Sequence, residues 1–430
     1  MDVLPEIYKR FLQSGKVSID SRKIEKGAVF FALKGENVDG NRFVHQALEA
    51  GAACAVSDDP AIEAHTDIYK VNDSLQCLQN LAIWHRKQLQ TQVIGITGSN
   101  GKTTTKELIA RVLEQKFRIT ATQGNLNNHI GVPLSVLQIK ADTEIAIIEM
   151  GANHQGEIAA LSRIAMPHFG LITNIGKAHL EGFGGLQGVI NAKSELYAYI
   201  DDHEGMLFVN TANPLLETLS ANIKRFTYGE QQQADVYGEL VAADPYLAFV
   251  WEFENKQSMV QTKLVGNYNF ENLLAAAAVG SYFGVDKTAI DKSLANYQPT
   301  NNRSQIIDSK HNKILMDAYN ANPVSMQAAI RNFDQICGQR SMLILADMLE
   351  LGSESDYEHA EILKLLIDLE FKKVILVGPL FGKLYAGNDW QHFNHVDEAV
   401  AYFKKEQARG YDILVKGSRG MQLEKLLPLL

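Results

Sequence analysis

The stretch Val93–Thr105, VIGITGSNGKTTT, constrains this chain more than any other. Val93-Ile94-Gly95-Ile96 reads as a short buried strand. A glycine-rich turn follows, with Gly95, Gly98 and Gly101 three apart. Lys102-Thr103-Thr104-Thr105 then opens a segment, Glu107–Gln115, with Leu108, Ile109, Val112 and Leu113 at helical spacing. Strand, glycine turn and helix start are the parts of a phosphate-binding loop. Glycines let backbone N–H groups approach phosphate oxygens, and the helix N-terminus adds unpaired donors and a positive dipole end. Lys102 would reach the terminal phosphates, and the Thr103 hydroxyl would bind Mg²⁺. The strict pattern wants glycine at position 96, where this chain has Ile96, so the loop is a variant. A glycine-rich βα turn with a surface lysine is the bland alternative; the flanking strand and helix and the Gly-Lys-Thr core weigh against it.

At 430 residues the chain is too long for one core and suggests two to four domains. Its 46% hydrophobic and 21% charged content is that of a soluble globular protein. A net charge of -9 argues against a general nucleic-acid or anionic-membrane binder, though a pocket can still be locally positive. The opening MDVLPEIYKR lacks the apolar core of a signal peptide, and no run is apolar enough to span a bilayer, so a cytoplasmic location is expected. Cys54, Cys77 and Cys337 are odd in number and far apart, which predicts reduced packing residues rather than a disulfide or metal framework.

Residues 1–73 read as a small α/β domain, with strands at Val29–Leu33 and Ala53–Val56 and a helix over Phe43–Ala50. Ser21, Arg22 and Lys34 stand in polar loops there. They are either loop chemistry at strand ends or the cationic holders of an anionic ligand such as a diphosphate. Ser74–Leu89 reads as a helix leading into a central domain, 74–298. There the amide-rich run Gly124–Pro133 contains Asn125, Asn127 and Asn128, which suits a loop and also suits hydrogen bonding to a polar substrate. Ile145–Ile148 reads as a buried parallel strand ending in Glu149, where ligands bind in open α/β sheets and phosphate-loop enzymes hold Mg²⁺. A further strand, Gly170–Ile175, runs into His179, on the same rim. A helix over about Leu186–Ile200 carries Lys193. Chemistry alone picks out neither His179 nor Lys193. Residues 224–264 alternate as a β hairpin or small added sheet. Asn269 and Asn272, three apart before an alanine-rich helix, either cap it or read a base or ribose. Beyond Pro299, apolar runs at Ile314–Met316, Met342–Leu345, Val374–Val377 and Ile413–Val415 alternate with helical stretches, which predicts a second parallel-sheet α/β domain, 299–430. Its strands end in polar groups, Asp317–Asn320, Asp347 and Lys416–Arg419, on a rim that would face the central site.

The runs GITGSNGKTTTKELI, NLNNHIGVPLSVL, EMGANHQGEI, NIGKAHLEGFG, AKSELY and DAYNANPVSM, in this order, resemble the Mur ligase family over nearly the whole chain. The resemblance implies an α/β protein of three domains: a small N-terminal domain for a uridine nucleotide, a central P-loop ATPase-like parallel-sheet domain with an extra β segment, and a C-terminal Rossmann-like domain that closes over an amine substrate. It implies ATP-dependent amide-bond formation in peptidoglycan precursor synthesis. No Asp-Asn-Pro-Arg motif of the diamino-acid-adding branch is present, which favours the branch that joins D-alanyl-D-alanine to UDP-N-acetylmuramoyl-tripeptide, whose third residue is meso-diaminopimelate or lysine. A monomer is expected.

The resemblance also implies roles. Gly98, Ser99, Asn100, Gly101, Lys102, Thr103 and Thr104 would hold ATP phosphates, Asn269 and Asn272 the adenine side, and Arg303 and Asp317 the phosphate and ribose. Thr103, Glu149, His179 and Lys193 would hold Mg²⁺, with Lys193 carbamylated by CO₂, and Lys102, Glu149, His179 and Lys193 form the catalytic set. Ser21, Arg22 and Lys34 fall on the uridine-nucleotide side, Asn125, Asn127 and Asn128 in the muramyl-peptide loop, and Asn320 with the substrate. One departure is visible: Asn41 stands where the family often has histidine, beside the expected diphosphate contact. The alternatives are another ligase of the superfamily, of folate polyglutamate or cyanophycin type, and a non-catalytic nucleotide-binding module.

Overall fold

The structure is a computed structural model and describes residues 3–35, 38–63, 65–299, 303–385, 387 and 389–430. Three sheets follow one another along the chain. The first has four parallel strands in the order Val17–Ser18, Val29–Phe31, Cys54–Ser57, Ile68–Lys70.

The second has nine strands. Its parallel body runs Arg225–Gly229, Met206–Asn210, Phe169–Ile172, Gln92–Thr97, Ile145–Glu149, Ile119–Ala121. Val236–Ala243 joins Arg225–Gly229 in parallel, and Tyr246–Phe253 and Lys256–Val265 close that edge in antiparallel pairing. The predicted hairpin is therefore part of the central sheet and not a separate one. Strand alternation sorts the central strands between two cores. Val93, Ala146 and Ile148 enter the core that continues through helix Ser74–Lys87 to Ile7, Phe11 and Phe31 of the first sheet. Ile94, Ile96, Ile145 and Ile147 face the opposite core, under helices Lys102–Leu113 and Phe270–Tyr282. These two helices approach closely because Gly280 has no side chain; a Cβ there would stand 2.4 Å from Val112.

The third sheet has six strands, in the order Gln305–Asp308, Lys313–Asp317, Asp412–Lys416, Ser341–Ala346, Val374–Val377, Gln391–Phe393, parallel except for its first strand. No helix among the described residues is long and apolar enough to cross a membrane.

The phosphate-loop helix begins at Lys102, as expected, where Gly101 at φ 78° turns the chain into it. Two local expectations change. The strand expected at Gly170–Ile175 ends at Ile172. Thr173 still donates its N–H to the Thr97 carbonyl (3.0 Å), while its side chain and that of Asn174 hydrogen-bond the phosphate loop. Asp347 does not face the site: its carboxylate accepts from the backbone N–H groups of Leu380 and Phe381, at 2.9 and 3.0 Å, at the start of helix Pro379–Leu384.

Candidate active site

The strand Gln92–Thr97 lies between Ile145–Glu149 and Phe169–Ile172, so the loop after it is flanked on both sides by strand ends. Gly98 sits at φ 144°, and a Cβ there would stand 2.0 Å from Thr173 Oγ1. Thr173 Oγ1 donates to the Asn100 carbonyl (2.6 Å), and the Asn100 N–H donates to Asn174 Oδ1 (2.9 Å). Ser99 Oγ and Gly176 exchange hydrogen bonds, at 3.0 and 2.9 Å. The loop is thus braced by Thr173 and Asn174, two residues that sequence reading spent on a strand. Helix Lys102–Leu113 has no side-chain cap, so its first-turn N–H groups are free to meet an anion. Lys102 Nζ donates to the Gly98 and Ser99 carbonyls, at 2.6 and 3.2 Å. Burial lowers its pKa, and the charge of Glu149 opposes that shift.

Glu149 is 1% exposed at the end of its strand. Thr103 Oγ1 donates to Oε2 (2.9 Å) and Asn127 Nδ2 donates to Oε1 (2.8 Å). Lys106 Nζ stands 3.9 Å from Oε2 and donates to the Thr122 carbonyl (2.7 Å). Asn127 is therefore committed to Glu149 as well as lining the cleft. Lys106 escaped sequence reading, although its place three residues after Thr103 puts both on one helix face.

A cleft of about 1200 Å³ collects most of the expected residues. From the central domain it is lined by Ser99, Asn100, Gly101, Lys102, Thr103, Thr104, Asn125, Asn127, Asn128, Glu149, His179, Asn269 and Asn272. Arg303, Asp317 and Asn320 line it from the third sheet. Asn269 makes no side-chain cap. Its Nδ2 donates to the Val265 carbonyl, and Asn272 Nδ2 donates to Asn269 Oδ1 while Asn272 Oδ1 accepts from Thr105 Oγ1. The capping alternative fails, and the two amides tie the phosphate-loop helix to its neighbour. Asp317 accepts from Lys416 Nζ (2.5 Å) and from the Ser304 N–H (3.1 Å). The Arg303 guanidinium lies 3.5 Å from the Tyr319 ring centre, a cation–π contact.

Other expected residues are not brought together. Gly98 supports the loop from behind and does not line the cleft. Of the expected metal set, only Thr103 and Glu149 touch. His179, which lines the same cleft, has Nδ1 2.5 Å from Glu350 Oε2. Lys193 is 2% exposed, stands outside the cleft lining, and has Nζ 5.3 Å from the Phe183 ring centre. Burial, with the charge of Lys102 adding to it, lowers the Lys193 pKa to about 7. Among the described residues no group of three His, Cys, Asp or Glu side chains is gathered as a metal centre. Ser21, Arg22 and Lys34 do not line the cleft and lie in the segments that connect strands of the first sheet, Ser21 and Arg22 in the 3-10 turn Ser21–Lys23. Arg22 forks onto Asp20 through Nε and Nη2, both at 2.9 Å, and holds that carboxyl down to about 2. Lys34 pairs with Asp58 (2.9 Å). Asn41 is 5% exposed and holds Asp39, Asp58 and Ser57 together by hydrogen bonds.

Three family models cover the chain: "Mur ligase family, catalytic domain" over 15–93, "Mur ligase middle domain" over 96–280 and "Mur ligase, glutamate ligase domain" over 302–419. The chain belongs to the Mur ligase family. This Mur ligase is 37% identical to the UDP-N-acetylmuramoyl-tripeptide–D-alanyl-D-alanine ligase of Bacillus subtilis (strain 168), over 96% of this chain and 92% of the relative. Its structure is similar to a crystal structure of MurF from Acinetobacter baumannii, with TM-score 0.86 and 33% identity over 96% of this chain and 92% of the other. It is also similar to MurF ligase from Thermotoga maritima in complex with ADP, with TM-score 0.84 and 25% identity over 96% of both chains. This Mur ligase is therefore an α/β protein of three domains and an ATP-dependent ligase that forms peptide bonds.

Proposed function

We propose that this Mur ligase joins D-alanyl-D-alanine to UDP-N-acetylmuramoyl-tripeptide, in peptidoglycan precursor synthesis, by way of an acyl phosphate. One observation carries the reading. A single cleft is lined at once by the phosphate loop of the central sheet and by Arg303, Asp317 and Asn320 of the third, so a phosphorylated acid and an incoming amine can meet in it. The name of the Bacillus subtilis relative supplies the substrate pair. We take 1–73 as the nucleotide-substrate domain, 74–298 as the ATP domain and 299–430 as the amine-side domain, in a cytoplasmic monomer.

A carboxylate is a poor electrophile, and transfer of the ATP γ-phosphoryl group makes it a good one. The free N–H groups of helix Lys102–Leu113 and the Lys102 ammonium hold the phosphates and offset charge as it moves. Thr103 and Glu149 are hard oxygen donors side by side at this loop and fit Mg²⁺. With His179 they would hold it, and it would neutralise phosphate charge. Lys193 as a carbamate would extend that set, and its pKa of about 7 supports a neutral amine able to take up CO₂. Asn269 and Asn272 flank the loop on the adenine side. The amine of the dipeptide, held from the third domain, attacks the acyl carbon, and phosphate leaves. Closure of the third domain over the cleft keeps water from the acyl phosphate. Ser21, Arg22 and Lys34 would bind the uridine diphosphate, with Arg22 exchanging Asp20 for phosphate.

The test is ADP release with each substrate omitted in turn, followed by mass analysis of the product. Turnover is expected only when ATP, UDP-muramyl-tripeptide and dipeptide are all present. Lys102→Ala should abolish ligation in a folded protein, because Lys102 fills no core space. Rapid ADP release from ATP alone would replace ligation with plain ATP hydrolysis.

A further inference from the structure

His179 and Glu350 meet across the boundary between the central and third sheets. His179 lies at φ 51° and Glu350 at φ 64°, left-handed conformations that are uncommon for either residue type. Three further contacts grip the same two segments. Lys177 Nζ lies 2.6 Å from Glu358 Oε1, and the Glu358 side chain is 2% exposed. The Glu181 N–H reaches the Glu350 carbonyl at 3.5 Å. Gly352 packs so closely that an added Cβ would stand 3.1 Å from Glu181 Cβ. The loop that carries His179 is therefore held by the third domain, not by its own sheet alone.

Nδ1 stands 2.5 Å from Glu350 Oε2, and this short contact holds the Glu350 carboxyl below its usual range. Histidines that bind metal ions through one ring nitrogen commonly hold a carboxylate on the other, which fixes ring and tautomer. From this geometry we propose that Glu350 is a positioning residue for His179: it engages Nδ1 and leaves Nε2 to a divalent cation in the cleft. Nε2 makes no hydrogen bond among the described residues, and His179 lines the cleft that Thr103 and Glu149 also line. The inference rests on the reading of His179 as a metal ligand. It adds that the ligand is set in place by a residue of another domain. Docking of the third domain then completes the cation site, and the site is not ready for phosphoryl transfer until the amine-side domain has arrived.

The experiment uses the full chain and Mn²⁺ as a spin probe, titrated with ADP present, beside ADP binding measured in EDTA. Glu350 is half-exposed, so Glu350→Gln and Glu350→Ala should fold. Both should weaken Mn²⁺ about tenfold or more, the range for loss of such outer partners, with ADP binding in EDTA unchanged. Glu350→Asp should recover part of the loss, and His179→Ala should lose at least as much as Glu350→Ala. Unchanged Mn²⁺ affinity in Glu350→Gln, with affinity lost in His179→Ala, overturns the role of Glu350 and leaves the metal reading standing. Unchanged affinity in both overturns the metal reading and this inference with it. Equal losses of Mn²⁺ and of metal-free ADP binding in Glu350→Gln would reduce Glu350 to a docking contact and also overturn it.

Discussion

Lys106 and Glu149 are buried as a pair, Nζ 3.9 Å from Oε2, with side chains 4% and 2% exposed. Neither charge has another described partner of opposite sign within ion-pair reach. Removing one partner of such a pair leaves an uncompensated charge in a low dielectric, which costs roughly 3–5 kcal/mol. Thr103 and Asn127 still hydrogen-bond the Glu149 carboxylate, so the lower end applies here. Lys106→Met should destabilise the protein by about 3 kcal/mol in urea unfolding, and Lys106→Met with Glu149→Gln should be more stable than Lys106→Met alone. A loss of only a few tenths of a kcal/mol in the single variant would mean that water screens the pair.

Three histidines set a ring nitrogen against a backbone group; His85 and His359 are buried, while the His168 residue is exposed. His168 Nδ1 accepts the Val93 N–H (3.0 Å), and His359 Nε2 accepts the Met348 N–H (3.0 Å). His85 Nε2 lies 2.8 Å from the Ile139 carbonyl. Desolvation of the ring lowers the pKa of all three below the usual 6.5. Below about pH 6.5 the unfolded chain takes up protons that the folded chain refuses, so stability falls as pH drops from there toward the folded-state values. Urea unfolding between pH 7.5 and 5 should show that fall, and His168→Asn should make it shallower. A flat profile would mean that the rings protonate in place.

Gly98 is required by contact, not only by conformation. At φ 144° its added Cβ would meet Thr173 Oγ1 at 2.0 Å, so Gly98→Ala must push the loop off the residues that brace it. A misplacement of ~1 Å at reacting groups costs on the order of 100-fold in rate. Gly98→Ala should show that loss in kcat with little change in thermal midpoint. Gly124→Ala is the control, since Gly124 also has positive φ but nothing within 4 Å of an added Cβ. Equal effects of the two variants would trace the loss to backbone strain alone.

Much of this arrangement is readable before any coordinates. Apolar runs bounded by glycine and polar residues identify the parallel strands, and the Gly-Lys-Thr core identifies the phosphate loop. What the sequence hides is where polar side chains spend their hydrogen bonds. Thr173 and Asn174 look like strand residues because a β-branched and a polar residue after an apolar run are consistent with one more ladder pair. Their side chains instead hydrogen-bond the carbonyl of Asn100, more than seventy residues away in the chain. Asp347 looks like a rim acid, and the N-terminus of a helix over thirty residues later makes it a cap. Lys177 and Glu358 carry no local signal at all; their pairing exists only once two domains dock.

Lys193 is the sharpest case, since a lysine on a helix usually means a solvated charge. Here it is 2% exposed, and burial together with the charge of Lys102 brings its pKa to about 7. As pH rises through about 7 the amine loses its proton, and only the neutral amine can add CO₂. A carbamate there would replace a cation with an anion whose oxygen donors suit Mg²⁺. Activity should therefore fall when dissolved CO₂ is stripped at pH 8 and return with bicarbonate, and the bicarbonate effect should grow as pH rises from 6.5 to 8. Lys193→Ala should lose most activity, and acetate should restore part of it by supplying a carboxylate in the vacated space. Lys193→Arg should stay inactive, because the guanidinium remains protonated and forms no carbamate. If Lys193→Arg turns over as fast as the parent, Lys193 serves only as a buried cation and the carbamate plays no part.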